Sequence, residues 1–136
     1  GDILYHGPRN DLPSDYAPKK VIELLNGISD KILAVRGNCD TEVDQMVLKF
    51  PILADYAYIV SGDKTIFATH GHHYNPTNPP LLCKGGVLLN GHTHVAVDED
   101  MGDFRYMNPG SPSIPKNGTA PSYIIIEDGK AELKKF

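Results

Sequence analysis

Four short segments of this sequence carry the kinds of side chain that bind divalent metal ions. They are residues 1–2 with His6, residues 37–40, residues 70–72 and residues 91–94. Together they supply a carboxylate, an amide oxygen and several imidazoles, which hard or borderline divalent metals accept, and they include no thiolate cluster. Ligands so widely separated in sequence can meet only in a folded α/β domain. These segments are therefore the parts from which a two-metal site can be built.

The histidines at 92 and 94 have the spacing that two neighbouring metal ions require. In an extended segment, side chains at i and i+2 point to the same side, about 6 to 7 Å apart. Each imidazole can then serve one of two ions lying about 3.5 to 4 Å apart. A His-x-His pair alone is more often a pair of surface histidines. Here Gly91 precedes the pair at the end of a predicted strand, which favours the metal interpretation of His92 and His94.

Half of the six histidines lie between residues 70 and 73. His70 directly follows residues 66–69, which are predicted to form a strand, so it is the most rigidly held and the best ligand candidate. His72 is expected to orient substrate or to remain solvated, and His73 is the weakest candidate. A polar loop is the alternative interpretation for at least one of these histidines.

The segment Gly37-Asn38-Cys39-Asp40 lies between a predicted buried strand and a predicted helix. An asparagine after glycine is usually a turn residue, but at this position the Asn38 amide oxygen can reach a metal ion. Asp40 is expected to cap the helix or to hold a neighbouring side chain instead of binding metal. Cys39 is disfavoured as a nucleophile because no neighbouring cation or base is predicted to activate it.

Asp2 is the only carboxylate beside one of these motifs whose position suits the bridging of two ions. Arg9 and Asn10 follow in a Gly-Pro turn and can meet phosphate oxygens, with the guanidinium binding in bidentate fashion. The alternative is that Arg9 is an exposed side chain of a flexible loop.

Composition and charge restrict the class of protein. The 136 residues suffice for one domain, and a hydrophobic share of 40% with a charged share of 22% is ordinary for a globular chain. A formal net charge of -4 argues against a nucleic-acid polymer as partner, since such proteins usually carry a basic stripe. No apolar run reaches membrane-spanning length, and no leader pattern begins the sequence. The two cysteines fit a reduced cytoplasmic protein in which Cys83 fills space.

The predicted elements place the candidate segments at the ends of strands. Helices are predicted from Ser14 or Asp15 to Gly27 and from Thr41, and residues 61–64 are predicted to form a hairpin turn. The predicted strands cover residues 2–5, 31–36, 56–60, 65–69, 87–90, 95–98, 104–108, 123–127 and 131–135. Helices in the first half and strands in the second half predict two packed sheets with helices outside. Metal ligands in α/β proteins lie in loops just past the carboxyl ends of strands.

Taken together, these motifs resemble the signature of the calcineurin-like metallophosphoesterases, which runs D-x-H, G-D, G-N-H-D/E, H and G-H-x-H. The segments GDILYHGPRN, AVRGNCD, THGH, GHTH and NPGSPSIPK are similar to the small bacterial phosphodiesterases of the YfcE type. The resemblance implies an α/β/β/α sandwich of two mixed sheets and two divalent metal ions, most often Mn, with Zn, Fe, Ni or Mg as alternatives. It implies that Asp2 bridges both ions, that Asn38, His70 and His92 complete one of them, and that His94 binds the other.

Two departures from the family pattern affect the expected site. The family's first strand, with its D-x-H pair and the helix that follows, is expected before Gly1, so the single domain over residues 1–136 is expected to be incomplete at its N-terminus. Only Asp2 and His94 then remain for the first metal ion, whose site is expected to be incomplete. Cys39 stands where most metallophosphoesterases have a histidine that assists the leaving group, and YfcE-type members share the cysteine.

The expected activity is hydrolysis of a small phosphodiester, in which a metal-bridging hydroxide attacks phosphorus. Cys39 and His72 are the catalytic candidates beyond the metal ligands, and His6, Arg9 and Asn10 are the candidates for substrate binding. The alternative is a non-catalytic scaffold, like the retromer subunit of this fold, although a scaffold does not need imidazoles at ligand positions. A nuclease of the superfamily would need a basic groove. The expected setting is the cytoplasm, without membrane contact, and a homo-oligomer is compatible with the sequence.

Overall fold

A mixed sheet of five strands forms the centre of the computed structural model, which describes residues 1–82 and 84–136. Its strands are β1 (Tyr56–Ser61), β2 (Lys64–Thr69), β3 (Val87–Leu89), β4 (Ala96–Asp100) and β5 (Arg105–Pro109). They lie in the order β1-β2-β3-β5-β4. The central strands β2, β3 and β5 run parallel, and β1 and β4 flank them in antiparallel orientation. Cys83, predicted to fill space, lies outside the described residues.

A two-stranded hairpin of β6 (Ser122–Glu127) and β7 (Lys130–Lys135) forms the second sheet. Because side chains alternate along a strand, one face of β6 is half-buried while the other is exposed. On the half-buried face, Ile124 and Ile126 pack against the buried cluster around Met107 in the larger sheet. The second sheet thus covers the first and closes this part of the core.

The first helix, α1 (Pro18–Asn26), begins later than the sequence predicts. Ala17 precedes it and offers no side-chain cap, so the predicted cap at Ser14 or Asp15 is wrong. Pro18 occupies the first turn, where its missing N–H costs no hydrogen bond. The fixed φ of proline therefore starts the helix in place of a capping side chain.

The second helix, α2 (Glu42–Val47), begins where the sequence predicts. The Thr41 hydroxyl accepts a hydrogen bond from the Asp44 N–H, and the Asp44 carboxylate accepts one from the Thr41 N–H. This capping box satisfies two N–H groups at the start of the helix and leaves Asp40 available for another contact. In the part of the chain that the structure describes, no helix has the length and apolar character to cross a membrane.

Two segments predicted as strands, residues 2–5 and 31–36, form no strand among the described residues. Their side chains do enter the core, because Leu4 is buried and Ile32 packs against the same cluster. A strand also requires a ladder of backbone hydrogen bonds to a neighbour. In the described structure the second segment makes one such bond to a distant part of the chain, from the Arg36 N–H to the Ala54 carbonyl. The predicted strands are therefore wrong, and the predicted burial is found only in part, because Leu33 is 67% exposed.

The parallel strands bring several predicted site segments to one edge of the sheet. β2 ends at Thr69 and is followed by His70, and β3 ends at Leu89 and is followed by residues 90–94. β5 ends at Pro109, next to β3. Because parallel strands end at the same edge, the loops that follow them meet there.

Candidate metal centre

Four predicted ligands converge where the loops after β2 and β3 meet the N-terminal segment. The Nε2 atom of His70 lies 3.1 Å from Asp2 Oδ2, 3.2 Å from Asn38 Oδ1 and 3.2 Å from His92 Nδ1. Ligand atoms of Asp2, His70 and His92 all lie within 4.8 Å of one another. The fold therefore brings together four of the five residues that the motifs single out as ligands. These four residues, Asp2, Asn38, His70 and His92, are called the cluster below.

These contacts fit a divalent metal ion better than they fit hydrogen bonds. A ring nitrogen carries at most one hydrogen, so His70 Nε2 cannot make full hydrogen bonds to three neighbours at once. Two ligands at about 2.1 Å from an octahedral ion, at right angles, are about 3 Å apart. The observed separations of 3.1 to 3.2 Å are close to this value. One carboxylate, one amide oxygen and two imidazoles form a donor set that such an ion accepts.

The protonation states of the cluster also suit metal binding. Burial raises the pKa of the Asp2 carboxyl, but hydrogen bonds from His70 and from the Cys39 N–H outweigh it, so this pKa lies below its ordinary value. Burial is also the main cause of the lowered pKa of His92, and the neighbouring His70 lowers it further. At neutral pH, Asp2 is therefore an anion and His92 a neutral imidazole, the forms in which these side chains bind metals.

Asp40 holds the Asp2 segment against the following loop. Its carboxylate is 2% exposed and accepts hydrogen bonds from the N–H groups of Asp2 at 2.7 Å, Ile3 at 2.9 Å and Gly37 at 2.7 Å. The helix-cap interpretation of Asp40 is wrong, because Thr41 caps α2. Asp40 does hold its neighbours, as the other interpretation proposed, but through their backbone instead of a side chain.

The Asp2 carboxylate is fixed by one oxygen and presents the other to the cluster. Its Oδ1 accepts a hydrogen bond from the Cys39 N–H at 2.8 Å, whereas Oδ2 faces His70. Gly37 permits this close approach, because a Cβ atom there would lie 2.1 Å from Asp2 Oδ1. The glycine before Asn38 is therefore required by the packing of the aspartate.

Two buried imidazole nitrogens near the cluster, His72 Nδ1 and His6 Nδ1, have no hydrogen-bond partner in the described structure. The His72 ring centroid lies 5.4 Å from that of His70 and 6.1 Å from that of His92. Burial, followed by the neighbouring His73, lowers the pKa of His72, which is therefore neutral at neutral pH. A buried nitrogen without a partner calls for a bound group that would satisfy it.

His94, the fifth predicted ligand, lies outside the close group of Asp2, His70 and His92. It forms part of the wall of a cleft next to that group. Its Nδ1 lies 3.1 Å from the Ile114 carbonyl oxygen. A carbonyl can only accept, so Nδ1 carries the hydrogen and Nε2 is available as a ligand. Burial is the main cause of the lowered pKa of His94, and the charge of Lys116 lowers it further.

A cleft of about 300 Å³ opens beside the cluster, and its walls include the cations Arg9 and Lys116 together with Cys39. The sequence suggested no role for Lys116, because only the fold brings it opposite the N-terminal loop. Asn10 also lines the cleft, but its Nδ2 donates to the His6 carbonyl at 2.6 Å. The Asn10 amide therefore already makes a hydrogen bond within the loop of residues 6–10.

Cys39 is a neutral thiol in this environment. Burial raises its pKa, and the negative charge of Asp2 raises it further. The Asn38 amide donates to its sulfur at 3.3 Å. A protonated thiol is a poor nucleophile, in agreement with the expectation from sequence.

A larger cavity of about 570 Å³ also reaches Asp2 and the histidines. Its lining is mostly apolar, with Val35, Ala68 and Leu89 among its residues, and its described lining includes no lysine or arginine. Because a phosphate anion is drawn to positive charge, the smaller cleft is the candidate substrate site.

Comparison with known proteins points to the same chemistry. The family described as the calcineurin-like phosphoesterase superfamily domain matches residues 12–130. Phosphodiesterase YfcE of Escherichia coli K12 is 51% identical over 128 residues, which cover 94% of this chain and 70% of that protein. A phosphodiesterase of Methanocaldococcus jannaschii is 30% identical over 131 residues, 90% of this chain and 77% of that protein. The solved structure of YfcE, a phosphoesterase from E. coli, matches with a TM-score of 0.88 at 52% identity, over 90% of this chain and 68% of that chain. This likeness confirms the predicted α/β fold with two sheets.

Proposed function

Because this chain belongs to the calcineurin-like phosphoesterase superfamily, as its motifs predict, we propose that it hydrolyses a small phosphodiester in the cleft that Arg9 lines. The observation that carries the proposal is the convergence of Asp2, Asn38 and His92 on the Nε2 atom of His70. The net charge of -4 favours a small substrate over a nucleic-acid polymer. The proposed setting is the reducing cytoplasm, where a cysteine stays a free thiol.

The proposed cofactor is a pair of divalent metal ions, Mn²⁺ first, with Zn, Fe, Ni or Mg as alternatives. In this proposal Asp2, Asn38, His70 and His92 would hold one ion, and Asp2 and His94 would hold the other. When bound, such ions supply an acidified water as the nucleophile and neutralise the charge that develops on the phosphate.

The other residues of the cleft are proposed to bind and orient the substrate. Arg9 and Lys116 attract the phosphate anion, and the guanidinium can bind two of its oxygens. His6, which lines the cleft, and His72, whose ring lies beside that of His70, each offer a buried ring nitrogen to a substrate oxygen or its proton. The neutral Cys39 thiol is a weak acid, so diesters with acidic leaving groups are the favoured substrates.

The test combines metal binding with turnover. The metal-free protein is titrated by calorimetry with Mn²⁺ and with each of the four alternative metals, and hydrolysis of bis-p-nitrophenyl phosphate is followed with and without each metal. His70→Ala is expected to weaken Mn²⁺ binding and to slow turnover by about 100-fold or more, because it removes the nitrogen at the centre of the cluster. His73→Ala is the matched control, since this exposed histidine lies in the same loop and should retain both properties.

Each outcome of this experiment has a defined meaning. A wild-type protein that binds none of the five metals and hydrolyses no diester would refute the proposal and favour the non-catalytic scaffold. Metal binding without hydrolysis would refute the enzymatic proposal alone. Equal losses of Mn²⁺ affinity and turnover in His70→Ala and His73→Ala would show that both depend on the conformation of the loop and not on the His70 nitrogen.

A further inference from the structure

The segment that carries His92 and His94 has an unfavourable backbone conformation. Both histidines have positive φ angles, 66° and 62°, in a region that residues other than glycine rarely adopt. Such a conformation persists only where surrounding contacts hold it in place. The contacts that hold this segment are therefore part of the candidate site.

Asn108, near the end of β5, supplies such contacts. Its side chain is fully buried, with 0% exposure. Its Nδ2 donates to the Gly91 carbonyl oxygen at 2.8 Å and to the Thr93 hydroxyl oxygen at 3.0 Å. Gly91 and Thr93 are the two neighbours of His92, so one amide group holds the chain on both sides of this histidine.

The orientation of the Asn108 amide follows from its partners. The Gly91 carbonyl can only accept a hydrogen bond, so Nδ2 must face it. The Gly110 N–H can only donate, so Oδ1 must accept its hydrogen bond of 2.9 Å. Both ends of the amide are thus in use, and neither a carboxylate nor an apolar side chain can make both sets of bonds.

Through Gly110, the same side chain is connected to the loop that contacts His94. In that loop the Ser111 hydroxyl oxygen accepts a hydrogen bond from the Ile114 N–H at 3.0 Å. The Ile114 carbonyl lies 3.1 Å from the Nδ1 atom of His94, and the Lys116 N–H donates to the His94 carbonyl at 2.9 Å. The loop therefore contacts His94 at both its ring and its backbone.

We propose that Asn108 is a positioning residue for metal binding, which fixes the backbone on both sides of His92 and, through the loop after β5, orients the ring of His94. The inference rests on the proposed function, because it concerns the ions assigned there. Burying an amide is unfavourable unless its hydrogen bonds are made. An amide at position 108 is thus explained by the loop that it holds.

The test measures Mn²⁺ affinity and thermal stability together. Asn108→Leu removes both hydrogen-bonding ends at similar side-chain volume, and calorimetry is expected to show about 10- to 100-fold weaker Mn²⁺ binding. Met107→Ala is the matched control, because Met107 has the same burial but packs in a separate cluster. It should lower Tm while leaving Mn²⁺ affinity within about two-fold of the wild type, since its hydrogen bond with that loop, from the Asn90 N–H to the Met107 carbonyl, is made by the backbone and is retained.

Two further measurements separate positioning from general stability. Thr93→Val, at an exposed position, removes one acceptor of the Asn108 amide and should fold normally with about five-fold weaker Mn²⁺ binding. It decides the question alone if Asn108→Leu does not fold. NMR of ¹⁵N-labelled histidine in the metal-free protein reports the tautomer of His94. A single Nδ1–H form is expected in the wild type and a mixture in Asn108→Leu.

Unchanged Mn²⁺ affinity in Asn108→Leu and Thr93→Val would overturn the inference and leave the proposed function intact. Equally weakened binding in Met107→Ala, at a matched fall in Tm, would also overturn it, because affinity would then follow stability. A wild-type protein without affinity for Mn²⁺ or the other divalent ions would refute the proposed function, and the inference with it.

Discussion

Substitution of Asp40 by asparagine tests whether one buried carboxylate holds the N-terminal segment against the loop at 37–40. Its Oδ2 accepts from the N–H groups of Asp2 and Gly37, and its Oδ1 accepts from that of Ile3. The side chain is buried, so water cannot replace a lost partner. Asparagine has nearly the same shape, but it places an NH₂ group where one oxygen lay and removes the charge.

The expected loss of stability follows from these three bonds. At least one N–H group loses its acceptor, which costs about 1 to 3 kcal/mol at a buried position, and the others exchange a charged acceptor for a neutral one. We therefore expect Asp40→Asn to lower the free energy of unfolding by about 3 kcal/mol. For 136 residues, with an unfolding entropy of about 2.1 cal/mol/K per residue, this corresponds to a fall in Tm of about 10 °C.

Calorimetric unfolding measures this fall directly. Glu99→Gln is the control, because it removes the same charge from an exposed position in β4 and should change Tm by less than about 2 °C. Mn²⁺ affinity should also decrease in Asp40→Asn, since the Asp2 segment is no longer held. If Asp40→Asn and Glu99→Gln shift Tm equally little, the carboxylate does not hold these amides and the reasoning is wrong.

Two further predictions concern the cleft. Cys39→His should improve hydrolysis of diesters with poor leaving groups relative to nitrophenyl diesters, because an imidazolium is a stronger acid than a thiol whose pKa is raised. Rates across a leaving-group series measure this effect, and a uniform change would show that position 39 does no acid chemistry. Lys116→Ala should raise KM for bis-p-nitrophenyl phosphate about 3- to 10-fold with little change in kcat, because it removes a cation that attracts the substrate. Lys130→Ala, exposed on β7, is its control, and a change in kcat without one in KM would contradict the assignment.

The hairpin of β1 and β2 could be predicted from sequence because its signals are local. Residues 61–64 combine a glycine and an aspartate between two alternating apolar segments, and the structure pairs Ser61 with Lys64 across the turn. Gly62 has a φ of 58°, the left-handed region that glycine adopts without strain. The residues of the turn and of the two strands beside it are therefore sufficient to predict this hairpin.

Contacts between distant parts of the chain could not be predicted in the same way. Asp40 and Asp2 are 38 residues apart, and Asn108 and Gly91 are 17 residues apart, yet each pair is joined by a partly buried hydrogen bond. The predicted strand at 31–36 was wrong for a related reason. Ile32 and Ala34 do pack against the core, whereas Leu33 is exposed. A strand also needs a neighbour that local sequence does not identify.

Three of the five predicted ligands have an unfavourable backbone conformation. Asp2, His92 and His94 have φ angles of 57°, 66° and 62°. This conformation costs of the order of 1 kcal/mol or more for each such residue, so surrounding contacts must offset the cost. Asp40 provides them for Asp2, and Asn108 does so for the segment of His92. Residue type thus indicates which side chains can bind a metal ion, whereas the geometry that such an ion needs depends on buried polar residues that are not themselves ligands.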